Sequence, residues 1–439
     1  MGIPAYFSHV LRRHKGIVRP FDKALVVAAL YIDSNSVVYD AVHALEFQPE
    51  GFEQRLIAEV CRRLLELVET TKAARVFVAF DGVPPMAKMK QQRERRYKSA
   101  PTGGWNTVQI TPGTHFMKAL DAGVKAFFAT SDFKVSGSDE PGEGEHKIYQ
   151  LVRDAPVQGL TLIYGLDSDL IMLSLNHLKY GEIKLLREAP HFKRKEEGLC
   201  VLDVPALAAE IKATFGSVED YLLVCMLLGN DFMPRFPALN LRTNGMRILT
   251  ETYAETNLQL CDGGNIVWPH LALFFKALAK REQADLRQEY IMRERKTVED
   301  TPENMPMRCR ELERYINPLE KGWQQRYYRT LFQSESAPAF CQNYLEMLQW
   351  TLRYYCGPCP HWGVYYKPMY APLLEDFKNV VEPLITAVDK GPVAAVDLLK
   401  FVLPAELSAF SVCPYAPEPK KPNLYWAFFT FDWEAKLLF

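Results

Sequence analysis

Three short apolar runs, each closed by an aspartate, constrain most strongly what this chain can fold into. They are Leu25 to Ile32, Arg75 to Phe80 and Leu160 to Tyr164, rich in Val, Ile, Leu and aromatic residues. Asp33 and Asp81 follow the first two directly, and Asp167 follows the third after Gly165-Leu166. Such runs read as β-strands, whereas Phe52 to Thr70, between the first two, carries Leu56, Ile57, Val60, Leu64, Leu65 and Val68 at helical spacing. Strands alternating with helices imply an α/β fold with a mostly parallel central sheet flanked by helices. In such sheets ligands sit at the carboxyl ends of the strands, so three acids placed there mark one candidate crevice.

Further along, Val218 to Leu228 reads as a buried helix that ends at Gly229-Asn230-Asp231, with Gly229 suited to a C-terminal cap and Asp231 a fourth candidate acid. At 439 residues the chain has room for two or three domains. The pattern divides it into an α/β core over 1–250, a charged helical connecting region over 251–318, and a mainly helical, aromatic-rich and proline-rich segment over 319–439.

The informative acids are Asp33, Asp81, Glu143, Glu145, Asp167, Asp169 and Asp231. Asp167 and Asp169, and likewise Glu143 and Glu145, stand two apart, so in an extended segment each pair points to one side. Any one of these acids on its own reads as a turn residue or a helix cap. Seven of them gathered at strand ends repel one another and lose hydration, and a positive partner is needed to offset that. Mg²⁺ or Mn²⁺ prefers such oxygen ligands, and two ions about 4 Å apart can cleave a phosphodiester without a protein nucleophile.

A formal net charge of −1 conceals a basic stretch, Met86 to Lys98, with six Lys or Arg against the lone Glu94. Within it Lys88, Gln92, Arg95 and Arg96 fall at i, i+4, i+7 and i+8, on one helical face. Most charged runs are solvated surface. This one starts a few residues after Asp81, so its face lies near the acids, and guanidinium forks there can hold a terminal monophosphate. A chain end anchored beside a cleavage site releases one nucleotide at a time.

These phrases resemble the Xrn family of 5′→3′ exoribonucleases. The likeness is carried by Met1-Gly2-Ile3-Pro4, Tyr31-Ile32-Asp33-Ser34-Asn35-Ser36, Phe80-Asp81-Gly82-Val83 with the basic helix, and Ile110-Thr111-Pro112-Gly113-Thr114. It continues through Pro141-Gly142-Glu143-Gly144-Glu145-His146-Lys147, Tyr164-Gly165-Leu166-Asp167-Ser168-Asp169-Leu170 and Leu228-Gly229-Asn230-Asp231-Phe232. Weaker matches at Gly322-Trp323 to Tyr327-Tyr328, Tyr365 to Pro372 and Val402-Leu403-Pro404 extend it over nearly the whole chain.

The resemblance implies a PIN/FEN-like nuclease core, seven acids that bind two Mg²⁺ (or Mn²⁺) ions, and a 5′-phosphate pocket of Lys88, Gln92, Arg95 and Arg96. It implies digestion of single-stranded, 5′-monophosphorylated RNA to mononucleotides by a monomer, with Trp362 as one face of a base-stacking clamp. Where the family places a His six residues after the first metal-binding Asp, this chain has Tyr39, which can stack but carries no imidazolium charge. The chain ends where the family's catalytic region ends, which suggests a minimal member.

Nine scattered Cys, the absence of a leader pattern at the N-terminus and the absence of an apolar run long enough to cross a membrane together suggest a reducing, cytoplasmic setting, the nucleus being the other option. Cys356-Gly357-Pro358-Cys359 copies a thioredoxin motif without the preceding βαβ unit, and His361 nearby does not complete a zinc site. His146 reads equally as a carboxylate partner and as a packed side chain. The rival functions are a flap or structure-specific DNA endonuclease with the same carboxylate core, and a catalytically silent RNA-binding scaffold.

Overall fold

The computed structural model describes residues 2–98, 105–129, 131–189, 198–295, 310–334 and 337–403. All three acid-terminated runs are strands, β2 (Val27–Asp33), β3 (Arg75–Ala79) and β5 (Leu160–Tyr164), and they lie side by side in a seven-stranded sheet. With β1 (Val18–Pro20), β4 (Phe133–Ser136), β6 (Glu182–Glu188) and β7 (Leu199–Leu202), the order is β1-β7-β6-β5-β2-β3-β4. Strands β6, β5, β2, β3 and β4 run parallel, and β7 joins β6 and β1 antiparallel. The chain builds outward from β2 through β3 to β4, then returns to place β5 on the other side of β2. The boundary between β2 and β5 is therefore the point where strand order reverses, and a crevice opens there at the carboxyl ends.

Alternating side chains split the sheet between two apolar layers. Leu30, Ile32, Val76, Val78 and Leu162 pack under α2 (Asn35–Ala44), α3 (Phe52–Thr71) and α5 (His115–Phe127). Tyr31, Phe77, Ile163, Ile183 and Leu185 pack on the other face. That second layer takes in α6 (Gly144–Asp154), α7 (Asp169–His177), α8 (Val204–Phe215) and α9 (Val218–Met226). It continues without a break into α11 (Trp268–Glu294) and α14 (Pro338–Cys356), through Leu271, Phe274, Tyr344, Trp350 and Tyr354. The α/β part and the helical, aromatic-rich part thus share one core, as the α/β expectation with a packed helical segment required.

The helix read at Phe52 to Thr70 runs to Thr71. The one read at Val218 to Leu228 ends at Met226, because Leu227, Leu228 and Gly229 each donate their N–H to the carbonyl three residues back and tighten the last turn. Gly229 then adopts a φ of 79°, and a Cβ there would lie 2.6 Å from the Arg235 nitrogen, so glycine is required for the chain to swing Asp231 back toward the sheet. Among the described residues no helix is long and apolar enough to cross a membrane, and the described cysteines are free.

Candidate active site

The acids converge because of where each sits in the fold. Asp33 is the last residue of β2, Asp81 follows β3 by two residues, and Asp167 follows β5 by three. Glu143 precedes α6, Glu145 lies in its first turn, and Asp169 is the first residue of α7. Two helix N-termini, whose backbone N–H groups carry partial positive charge, therefore point into the cluster and offset part of its repulsion. Gly144 sits so close to β2 that an added Cβ would be 2.9 Å from Asp33 Oδ1. Its bare N–H donates to Asp81 Oδ1 at 2.7 Å, while Asn35 Nδ2 donates to Asp81 Oδ2 at 2.6 Å.

Burial and mutual repulsion set the electrostatics. Desolvation, reinforced by Asp81 and Asp167, raises Asp33 well above the usual carboxylate range. Burial and then Asp231 push Asp169 up to about 6. Burial also raises Glu145 well above its ordinary value, in spite of Lys88. Carboxyls that resist ionisation in this way lack counter-charge, and hard divalent cations supply it. The donor set is all oxygen apart from His146, whose ring nitrogen lies with Glu143 and Glu145 in a group whose ligand atoms are within 4.8 Å of one another. The set fits a divalent metal ion.

The basic helix α4 (Met86–Lys98) forms as read and stands across the crevice. Lys88, buried, reaches Glu143 Oε2 at 2.6 Å and Asp231 Oδ2 at 2.8 Å. Burial opposes its charge, but Asp231 and Glu143 outweigh that and keep the ammonium protonated. In return Lys88 overcomes the burial of Asp231 and draws its carboxyl down to about 2. Arg96, also buried, is tied at Nε to Thr111 Oγ1 (2.9 Å) and at Nη2 to the Ile110 carbonyl (2.8 Å), with Nη1 3.4 Å from the Tyr39 hydroxyl. Gln92 Oε1 is buried with no hydrogen-bond partner.

A single cavity of about 220 Å³ collects these groups. Asp33, Asp81, Glu143, Glu145 and Asp167 line it together with Lys88, Gln92, Arg95, Arg96 and Tyr39. Asp169 and Asp231 are not in this lining; Asp231 joins the cluster through its ion pair with Lys88, and Asp169 through its electrostatic coupling to Asp231 and Asp167. Trp362 is outside the lining; its carbonyl accepts the Met86 N–H at 2.9 Å, which places it at the start of α4.

Four side chains that the sequence left unassigned belong here. Asn35 holds Asp81, Thr111 aims Arg96, and Tyr354 and Tyr355 on α14 donate to Glu143 and Asp169. Asn35 and Thr111 stood inside quoted motifs; nothing in the spacing singled out the tyrosines. Burial pushes the Cys356 thiol up to about 11 and the Cys359 thiol up to about 12, so neither offers a thiolate for redox chemistry.

Comparison with known proteins agrees with the geometry. The family model for the "XRN 5'-3' exonuclease N-terminus" matches residues 1–104 and 101–189, and that for the "Xrn1 helical domain" matches 216–316 and 310–416. The chain is 30% identical to 5'-3' exoribonuclease 1 of Saccharomyces cerevisiae over an alignment covering 59% of this chain and 21% of that protein. It is 25% identical to human 5'-3' exoribonuclease 1, covering 92% of this chain and 30% of that one. For the 5'-3' exoribonuclease 2 homolog of Drosophila melanogaster the figures are 24% identity, 96% of this chain and 66% of that one. The chain thus spans about a fifth of the yeast protein and under a third of the human one. Among solved structures, the catalytic core of Rad2 in complex with DNA superposes with a TM-score of 0.41 and 17% identity over 69% of this chain and 84% of that one, too distant a likeness to argue from. With two models of one family matching in sequence over most of its length, the chain belongs to the XRN 5'-3' exonuclease family.

Proposed function

We propose that this chain is a divalent-metal-dependent 5′→3′ exoribonuclease that removes mononucleotides from single-stranded RNA bearing a 5′-monophosphate. One observation carries the reading: the same cavity is lined by the carboxylates Asp33, Asp81, Glu143, Glu145 and Asp167 together with Lys88, Gln92, Arg95 and Arg96.

Arg95 and Arg96 supply guanidinium forks and Gln92 an amide for a terminal phosphate, whose extra charge over an internal phosphodiester selects a chain end. Arg96 is pre-set by Thr111 and Ile110, so little side-chain freedom is lost on binding. The Tyr39 ring lies beside that pocket and offers a face for the first base. Asp33, Asp81, Glu143, Glu145, Asp167, Asp169 and Asp231 are the groups that would hold Mg²⁺ or Mn²⁺, two ions in this reading. Such ions, when bound, supply an activated water and neutralise charge on the leaving oxygen. The protein's own part is to fix the phosphate end one nucleotide from the acids and to hold those acids rigidly.

The test is to incubate the protein and Mg²⁺ with single-stranded RNA carrying a 5′-monophosphate, 5′-hydroxyl or 5′-triphosphate, beside matched DNA and flap substrates. Mononucleotides from the 5′-monophosphate RNA alone are the expected result. Internal cuts would remove the reading in favour of a structure-specific endonuclease, and equal rates on all ends would remove the 5′-monophosphate requirement. Binding without cleavage would leave a scaffold.

A further inference from the structure

Two consecutive tyrosines of α14 end on two different carboxylates of the acid cluster. Tyr354 donates its hydroxyl to Glu143 Oε1 at 2.8 Å, and Tyr355 donates to Asp169 Oδ1 at 2.9 Å, both deep in the core. Neighbouring residues on a helix point about 100° apart, so one turn serves both acids only because α6 and α7, which deliver them, lie side by side.

A buried phenol needs an acceptor, and a backbone carbonyl suffices. Tyr344, on the same helix, donates to the Pro234 carbonyl, Tyr327 to that of Ala371 and Tyr366 to that of Tyr370. Tyr354 and Tyr355 differ in taking carboxylates from a cluster short of counter-charge. A phenol bonded to one carboxylate oxygen fixes the carboxylate's rotation and turns the second oxygen elsewhere; Glu143 Oε2 is turned toward Lys88. The Tyr354 ring is itself clamped, stacked on His146 at 3.6 Å between centroids and on Trp350 at 4.7 Å, with Phe232 edge-on to both tyrosines.

We propose that Tyr354 and Tyr355 are positioning residues of the metal centre, through which the C-terminal helical segment sets the direction in which Glu143 and Asp169 offer their oxygens to a divalent cation. The proposal rests on the reading of these acids as metal ligands. It makes the C-terminal helical segment part of the metal site. Partners that orient metal ligands typically change metal affinity by about 10- to 100-fold when removed.

The experiment titrates Mn²⁺ into the full chain without RNA and reads the free ion by electron paramagnetic resonance, for the wild type and for Tyr354→Phe, Tyr355→Phe and Tyr344→Phe. The phenylalanine variants keep the rings and remove only the hydroxyls. The first two are expected to weaken Mn²⁺ binding by about tenfold or more. They are also expected to raise by a similar factor the Mg²⁺ concentration for half-maximal RNA hydrolysis, with KM for RNA unchanged. Tyr344→Phe, which loses a buried hydroxyl bonded to the Pro234 carbonyl and to no acid, keeps wild-type affinity. Unchanged Mn²⁺ affinity in both Tyr354→Phe and Tyr355→Phe overturns the proposal while leaving the metal reading intact, and so does an equal loss in Tyr344→Phe. A wild-type chain that takes up no Mn²⁺ removes the metal reading and the proposal together.

Discussion

The ammonium of Lys88 lies 2.6 Å from Glu143 Oε2, so the basic helix and the acid cluster meet in one ion pair inside the protein. The same nitrogen is 2.8 Å from Asp231. Lys88 therefore stands in both halves of the site: it shares the α4 face proposed to take the 5′-phosphate, and by its contacts it is a counter-ion to the acids. Removing one partner of a buried pair leaves the other charged and dry, at a cost of about 3–5 kcal/mol. Lys88→Met is expected to lower the melting temperature in metal-free buffer by many degrees, and Mn²⁺ is expected to restore much of the loss by taking over the neutralisation of Glu143 and Asp231. Thermal melts with and without Mn²⁺ measure this; an equal drop in both would mean that Lys88 and the metal do not answer to the same charges.

Arg95 and Arg96 differ in how they are held, and their variants should differ accordingly. Arg96 is buried against Thr111 and Ile110, so Arg96→Ala is expected to cost stability as well as the proposed phosphate binding. Arg95 lines the cavity and is less buried. Arg95→Ala is expected to keep the melting temperature within a degree or two while reducing the preference for 5′-monophosphate over 5′-hydroxyl RNA by about tenfold, the worth of one charge-assisted hydrogen bond. Competition assays with the two RNAs read the ratio directly. A uniform loss on both ends would take Arg95 out of the phosphate pocket.

Asp167 faces the cavity from the β5 end, next to the strand-order reversal. Its replacement removes one of the acids proposed to hold the metal while leaving the basic residues of α4 in place. Asp167→Ala is expected to lower turnover by on the order of 10³-fold, several kcal/mol of lost charge stabilisation, with binding of 5′-monophosphate RNA retained. Single-turnover rates and filter binding separate the two. Residual turnover near that of the wild type would show that the ion is held without this carboxylate.

The sequence carried the sheet and the acids because both are local signals. An apolar run such as Leu160 to Tyr164 needs no partner to be read as a strand, and Asp33, Asp81 and Asp167 gain their meaning from the strands they follow. The face of Lys88, Gln92, Arg95 and Arg96 is likewise a property of one helix. What stayed hidden were contacts made across long sequence separations. Tyr354 and Glu143 are 211 residues apart, and Tyr355 and Asp169 are 186 apart. A Tyr-Tyr pair in an aromatic helix reads as core, which these residues also are. That Lys88 reaches Asp231, 143 residues away, instead of projecting only toward substrate is of the same kind. The end of α9 was misplaced by two residues, since cap chemistry at Gly229 was visible but the tightening of the preceding turn depends on how Asp231 is drawn inward.

His177, the last residue of α7, gives the fold an acid limit that is independent of the metal site. Its Nε2 is 2.8 Å from Arg153 Nη1, which can only donate, so Nε2 accepts and the proton sits on Nδ1, which donates to the Leu173 carbonyl at 2.7 Å. Burial, with Arg153 and Lys179 adding to it, lowers this imidazole from 6.5 to about 4. The unfolded chain takes up a proton as pH falls below 6.5, and the folded chain takes it up only near 4. Stability from this residue is therefore fully present above pH 6.5 and is lost progressively as pH falls toward 4, by up to about 3 kcal/mol at about 1.4 kcal/mol per pH unit. His177→Gln keeps an acceptor for Arg153 and has no proton to gain. Its unfolding free energy, measured by denaturant titration, is expected to fall less steeply than that of the wild type between pH 6.5 and 4. Parallel curves for the two proteins across that window would show that the acid sensitivity arises elsewhere.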